Sequence, residues 1–143
     1  MSRALGGAVS RNPVKEIGWG MVEVVDAPPA QQWFGHAKPS FTSFHWHGEM
    51  FSIPPGAERV LANQYCENQA FALGPHLGMQ CHIEMTPDMI AAWCESGARE
   101  IGRSKSPAVQ TVTQIKAELE GRVAALHAVA DGVYARWIEG LAR

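Results

Sequence analysis

Between Leu77 and Asp88 an apolar extended stretch has to become a helix within a few residues, and this hand-over constrains the chain more than any other stretch. Leu77, Met79 and Cys81 read as a buried strand. Thr86-Pro87-Asp88 reads as a helix start, with a Thr cap, Pro at the first helical position and an acid in the first turn. His82 and Glu84 lie between the two. In an extended segment alternate side chains share a face, so these two project together while Ile83 points away. A carboxylate beside an imidazole can fix its tautomer and stabilise its protonated form, which prepares a base for nucleophilic catalysis.

The 143 residues, 46% hydrophobic and 18% charged with a formal net charge of −2, fit one soluble globular domain with a core of its own. No Lys/Arg cluster exists to neutralise phosphates, so a nucleic-acid surface is not expected. No apolar run approaches the length of a membrane span, and Met1 to Gly7 lack a signal-peptide core. Cys66, Cys81 and Cys94 are an odd set without Cys-x-x-Cys spacing, which favours reduced thiols and a cytoplasmic location.

Met1 to Leu5 reads as the last turn of a helix, closed by Gly6-Gly7 as a left-handed cap. Ala8-Val9 is a candidate short strand. Ile17 to Val25 is a strand apolar on both faces, with Gly18 and Gly20 marking close backbone approach or a bulge, and Asp26 to Ala30 ends it. Gln31 to Ser40 is a loop or short helix. Phe41 to Trp46 is a second strand, followed by a turn at Pro54-Pro55-Gly56. Short strands at Arg59 to Ala62 and Ala70 to Leu73, then a turn at Gly74-Pro75, suggest a partly antiparallel portion. A helix from Pro87 to about Ser96 stops at Gly97. From Ser106-Pro107 onward a long helical region is expected, kinked or divided at Gly121 and Gly132, with Glu118 and Arg122 as an exposed i,i+4 pair.

Four blocks stand in order: Glu16-Ile17-Gly18-Trp19-Gly20; Trp46-His47-Gly48-Glu49-Met50-Phe51 with Pro54-Pro55-Gly56 after it; Asn68-Gln69-Ala70-Phe71; and Leu77 to Glu84. Together they resemble class I glutamine amidotransferases, specifically the small stand-alone proteins similar to the glutaminase domain of GMP synthase. The resemblance runs from about Met1 to Gly97 and covers the back half of that family. It implies an α/β fold: the back portion of a mainly parallel sheet flanked by helices, with flavodoxin-like layering and a helical C-terminal extension. Residues 1–98 would form the partial amidotransferase-like domain and 99–143 the extension packing on it.

The resemblance also implies a triad in which a cysteine thiolate attacks the side-chain amide carbon of glutamine, a histidine shuttles the proton to the leaving ammonia, and a glutamate orients the histidine. His82 and Glu84 stand at the catalytic His and Glu, with Ile83 where the family usually has Pro. Trp46 and His47 lie where backbone groups grip the glutamine substrate. The family's nucleophile, in a Gly-x-Cys-x-Gly-x-Gln turn, falls just upstream of the segment matching Met1 to Gly7. Cys81 points to the opposite face from His82, Cys66 has no helix N-terminus after it, and Cys94 reads as core, so none replaces that nucleophile. Glutamine is the implied substrate, no cofactor or metal is implied, and the chain as written should not hydrolyse glutamine. Two other readings stay open. One is a non-catalytic interaction protein, forming a homo-oligomer or pairing with a partner subunit through an uncovered sheet face. The other is a small metal-binding β protein using His45, His47 and Glu49.

Overall fold

The computed structural model of the protein describes residues 1–141. It is α/β: a curled sheet with helices packed on it. Strand β1 (Val9–Val24) is the spine, and it pairs along most of its length with β2 (Ser40–Phe51). Its other edge takes β3 (Glu58–Ala62) at Glu23 and Val24, and β6 (Ala108–Val109) at Glu16 and Ile17. Strands β4 (Ala70–Leu73) and β5 (His76–Met79) extend the sheet beyond β3.

The sheet is not the mainly parallel, flavodoxin-like one expected from the sequence. Among the described residues every pairing between β1 and β5 is antiparallel, and only β6 runs parallel to β1. The connections explain this. Gly74-Pro75 leaves β4 and β5 a two-residue link, which can only reverse the chain, whereas a parallel neighbour needs a longer crossover. The route to β6 is such a crossover, through α2 (Pro87–Ser96) and α3 (Ala98–Arg103).

Strands β1 and β2 are also longer than the sequence suggests. β1 carries straight through Asn12-Pro13, because the register slips between Arg11 and Glu16 and the irregularity absorbs the proline. β2 continues past the expected end at Trp46, through Gly48 to Phe51. Gly18, at φ 112, does mark a close approach, since a Cβ there would overlap the Gln110 side chain. The Gln110 amide stands in for a missing strand neighbour: its Oε1 accepts from the Trp19 N–H at 2.8 Å and its Nε2 donates to the Trp19 carbonyl at 3.0 Å.

Met1 to Leu5 forms one 3-10 turn, Arg3–Leu5, closed by Gly6 at φ 87 as expected. Pro28–Phe34 is α1, opened by its prolines, and it buries Ala30, Trp33 and Phe34 between β3 and the last helix. The C-terminal helical region divides at Glu118 (φ 53), between α4 (Val112–Lys116) and α5 (Leu119–Leu141), and not at the glycines. α5 runs unbroken through Gly121 and Gly132. Gly132 is needed for room, because the His36 ring lies where its Cβ would be. Arg122 does not extend toward an i,i+4 partner; its guanidinium lies over the Trp19 ring, 5.8 Å from the centroid.

The core joins Ile17, Trp19 and Val22 of β1 and Phe44 of β2 to Ile90 and Cys94 of α2, Ile115 of α4, and Val123, Leu126 and Ala130 of α5. Residues after position 98 therefore supply a strand and part of the core, as well as helix. No helix among the described residues is long and apolar enough to cross a membrane.

Candidate functional site

The hand-over from β5 to α2 is built by alternation. Cys81, Ile83 and Met85 are buried at 3%, 3% and 0% exposure, so His82 and Glu84 are turned outward together. The segment is pinned on both sides. His82 exchanges backbone hydrogen bonds with Phe44, its N–H donating at 2.8 Å and its carbonyl accepting at 3.2 Å, and Ser43 Oγ also donates to that carbonyl. His127 of α5 donates from Nε2 to the Met85 carbonyl at 2.9 Å. Past the Phe44 bridge the chain bends and does not continue as a regular strand, yet the pair still meets.

His82 Nδ1 donates to Glu84 Oε1 at 2.7 Å. Glu84 Oε2 accepts from the Ile83 N–H at 3.0 Å. Burial by itself would raise the Glu84 carboxyl, but these hydrogen bonds and the nearby imidazole outweigh it and hold the group below the ordinary carboxylate range. With Nδ1–H committed to Glu84, Nε2 is left as the nitrogen that can take or give a proton. Trp93 of α2 stands edge-on to the imidazole, with centroids 5.1 Å apart at 88°. Trp93 in turn meets Trp46 at 5.7 Å and 89°. Trp46 is held by its indole N–H donating to Glu100 Oε2 at 3.0 Å.

The two side chains of the Trp46-His47 pair go to opposite faces of the β1–β2 ladder, as an extended strand requires. Trp46 lies opposite Ile17, on the aromatic side that supports His82. His47 lies opposite Glu16, on a face it shares with His45. That face holds a cluster the sequence reading missed. The acid beside the two histidines is Glu16 and not Glu49, whose side chain is exposed. Glu16 and His45 are 3% and 1% exposed. Burial would raise the Glu16 carboxyl, but His47, His45 and the Asn63 amide overcome that and lower it, while burial drives His45 down to about 4. Asn63 Nδ2 donates to Glu16 Oε2 at 2.6 Å and Gln69 Nε2 to Oε1 at 2.8 Å. The signal in the sequence was the Glu16-x-Gly18-x-Gly20 alternation: an acid on a strand face kept free of side chains. The His45 ring takes the space, and a Cβ on Gly20 would meet it at 2.9 Å.

All three cysteines are buried free thiols. Burial raises each of them, Cys81 to about 12. Cys81 faces Ser43, away from His82, so none of the three is placed or ionised as a nucleophile for that imidazole.

No protein-family model matches the chain. It is similar to a solved glutamine amido transferase from Methylobacillus flagellatus, with 40% identity and a TM-score of 0.92 over 97% of this chain and 58% of that one. A glutamine amidotransferase from Thermotoga maritima is 28% identical with a TM-score of 0.83, over 96% of this chain and 57% of its own. Among curated proteins, the putative glutamine amidotransferase-like protein YfeJ of Salmonella typhimurium is 25% identical over 119 residues, 82% of this chain and 50% of that protein. The chain thus spans between half and three-fifths of the length of each of these relatives.

Proposed function

We propose that this chain, glutamine amidotransferase-like by its homologue and structural neighbours, carries the acid–base half of a class I Cys-His-Glu glutaminase site. The observation that supports the reading best is the 2.7 Å contact between His82 Nδ1 and Glu84 Oε1, on a segment pinned by Phe44 and Ser43. In the proposed reaction a thiolate attacks the side-chain amide carbon of glutamine. His82 Nε2, having taken the thiol proton, gives it to the amide nitrogen as the C–N bond breaks and ammonia leaves. Water then attacks the thioester with His82 as base, and glutamate is released with the thiol restored. Glu84 keeps the imidazole in the Nδ1–H tautomer and stabilises it when charged. The main chain at Trp46 and His47 is proposed to grip the substrate, since their side chains are engaged with Trp93, Glu100 and Glu16.

The thiolate is proposed to come from outside residues 1–143, because Cys66, Cys81 and Cys94 are buried with raised pKa values. Three free thiols also fit a reducing compartment such as the cytoplasm. The test is to treat the complete product of the encoding gene with a chloroketone analogue of glutamine and map the adduct. Labelling of a cysteine outside this chain, blocked by glutamine, supports the reading. Labelling of Cys66, Cys81 or Cys94, or of nothing, refutes it.

One observation favours a partner-binding reading alongside this one. Tyr134, Trp137, Ile138 and Leu141 are exposed at the end of α5, and Tyr134 and Trp137 border a shallow apolar hollow that reaches Glu84. A surface of this kind fits a second subunit or an ammonia-accepting partner.

A further inference from the structure

The Glu16–His45–His47 cluster leaves two buried imidazole nitrogens that its own hydrogen bonds do not satisfy. His47 Nδ1 lies 3.0 Å from the Glu49 carbonyl, so Nδ1–H donates there and Nε2 is the nitrogen left to face Glu16. His45 Nε2 faces the Gly20 carbonyl at 3.4 Å, so Nε2–H donates there and Nδ1 carries the lone pair. Both free ring nitrogens are therefore turned to the Glu16 carboxylate: His47 Nε2 stands 3.2 Å from Oε1 and His45 Nδ1 stands 3.9 Å from Oε2. Both nitrogens are buried without a hydrogen-bond partner of normal geometry. Two buried imidazole nitrogens without a hydrogen-bond partner, converging on a carboxylate, present the ligand atoms of a cation site.

We propose that Glu16, His45 and His47 form a binding site for one divalent first-row transition-metal ion. The ligand atoms all lie within 4.8 Å of one another. Atoms each about 2.0–2.2 Å from an ion stand roughly 3.0–3.6 Å apart, so the site closes onto an ion by side-chain shifts of under about 1 Å. The surrounding shell is of the kind metal sites use. Each imidazole is oriented by a backbone carbonyl on its far nitrogen, and the carboxylate is held by Asn63 and Gln69 amides. Two imidazoles and one carboxylate select a borderline ion such as Zn2+, Fe2+ or Mn2+ over Ca2+, which takes oxygen ligands. A cleft of about 260 Å3, lined by Glu16, Gly18, Gly20, His45, Tyr65 and Gln110, opens beside the cluster and leaves room for a water or small ligand to complete the coordination. The site lies on the face of the β1–β2 ladder opposite Trp46 and Phe44, and its ligands include neither His82 nor Glu84.

The test is titration of the chelator-stripped wild-type chain with Zn2+, followed by calorimetry, and with Co2+, followed by its visible d–d absorption. The expected result is saturation at about one equivalent, a Co2+ spectrum of a four- or five-coordinate nitrogen–oxygen site, and a Tm that rises with metal concentration. H47A and E16Q, checked for folding by circular dichroism, should each weaken binding by at least about tenfold, whereas H82N should bind as the wild type does. Wild-type protein that gives no saturable binding with either ion overturns the proposal, and this outcome does not depend on any variant folding. Binding that persists undiminished in folded H47A, or that disappears in H82N, also overturns it.

Discussion

Replacing Thr86 by Ala removes the cap that starts α2 and little else. Thr86 is extended (φ −104, ψ 163), and its Oγ1 accepts from the Met89 N–H at 3.3 Å. Without it one N–H of the first turn returns to water, at a cost of about 0.5–2 kcal/mol. The long 3.3 Å contact and exposed position place T86A near the lower half of that range, at about 1 kcal/mol. For a chain of 143 residues the unfolding entropy is about 0.3 kcal/mol/K, so Tm should fall by about 3 °C, and a urea midpoint by about 0.5 M. T86S keeps the oxygen and should stay within about 0.5 kcal/mol of wild type. The functional consequence comes through Trp93, which stands on α2 and supports the His82 ring. Urea unfolding of the three proteins, followed by circular dichroism, decides the matter. A T86A stability equal to wild type, or a T86S loss as large as that of T86A, would refute the assignment of the cap to the hydroxyl.

Ile115 is fully buried in α4, so I115A should cost about 2–5 kcal/mol and I115V about 0.5–1.5 kcal/mol in the same unfolding assay; losses below these would mean that the region after residue 98 packs only loosely. The Glu84 carboxyl is held below its ordinary value of 4.5, so its contribution is complete above that pH and is lost as pH falls through the lowered folded value. Because Glu84 is 42% exposed, solvent screening limits this to about 0.5 kcal/mol, which E84Q should remove from the difference between urea midpoints at pH 7 and pH 3.5. Native protein at pH 8 should react with a thiol reagent at least about tenfold more slowly than urea-unfolded protein, since burial raises Cys66, Cys81 and Cys94; fast native labelling of any of them would contradict their placement.

Much of the site was legible because its signals are local. The Thr86-Pro87-Asp88 cap needs no tertiary partner, and α2 starts where it indicates. The outward projection of His82 and Glu84 follows from alternation with Cys81, Ile83 and Met85. What escaped depended on pairing between distant segments. The sheet direction is set by how β3, β4 and β5 reverse, and the family likeness suggested parallel strands where short turns allow only antiparallel ones. Ala8-Val9 and Ile17 to Val25 read as separate strands and Phe41 to Trp46 as a short one, yet a register slip and the long β1–β2 ladder join the first two and extend the third. Likewise Glu49 is the acid nearest His47 in sequence, but Glu16 is the one that the ladder places opposite it. In the C-terminal region the glycines suggested the break, whereas the Thr111–Gln114 capping box and Glu118 in the left-handed region mark it.

The most direct test of the catalytic assignment is ammonia release from glutamine by the complete product of the encoding gene, compared with its H82N variant. The expected result is turnover in the wild type and a loss of at least about 10³-fold in kcat for H82N, since triad members act as a unit. No turnover in the wild type, or an H82N rate within about tenfold of it, would contradict the role of the His82–Glu84 pair.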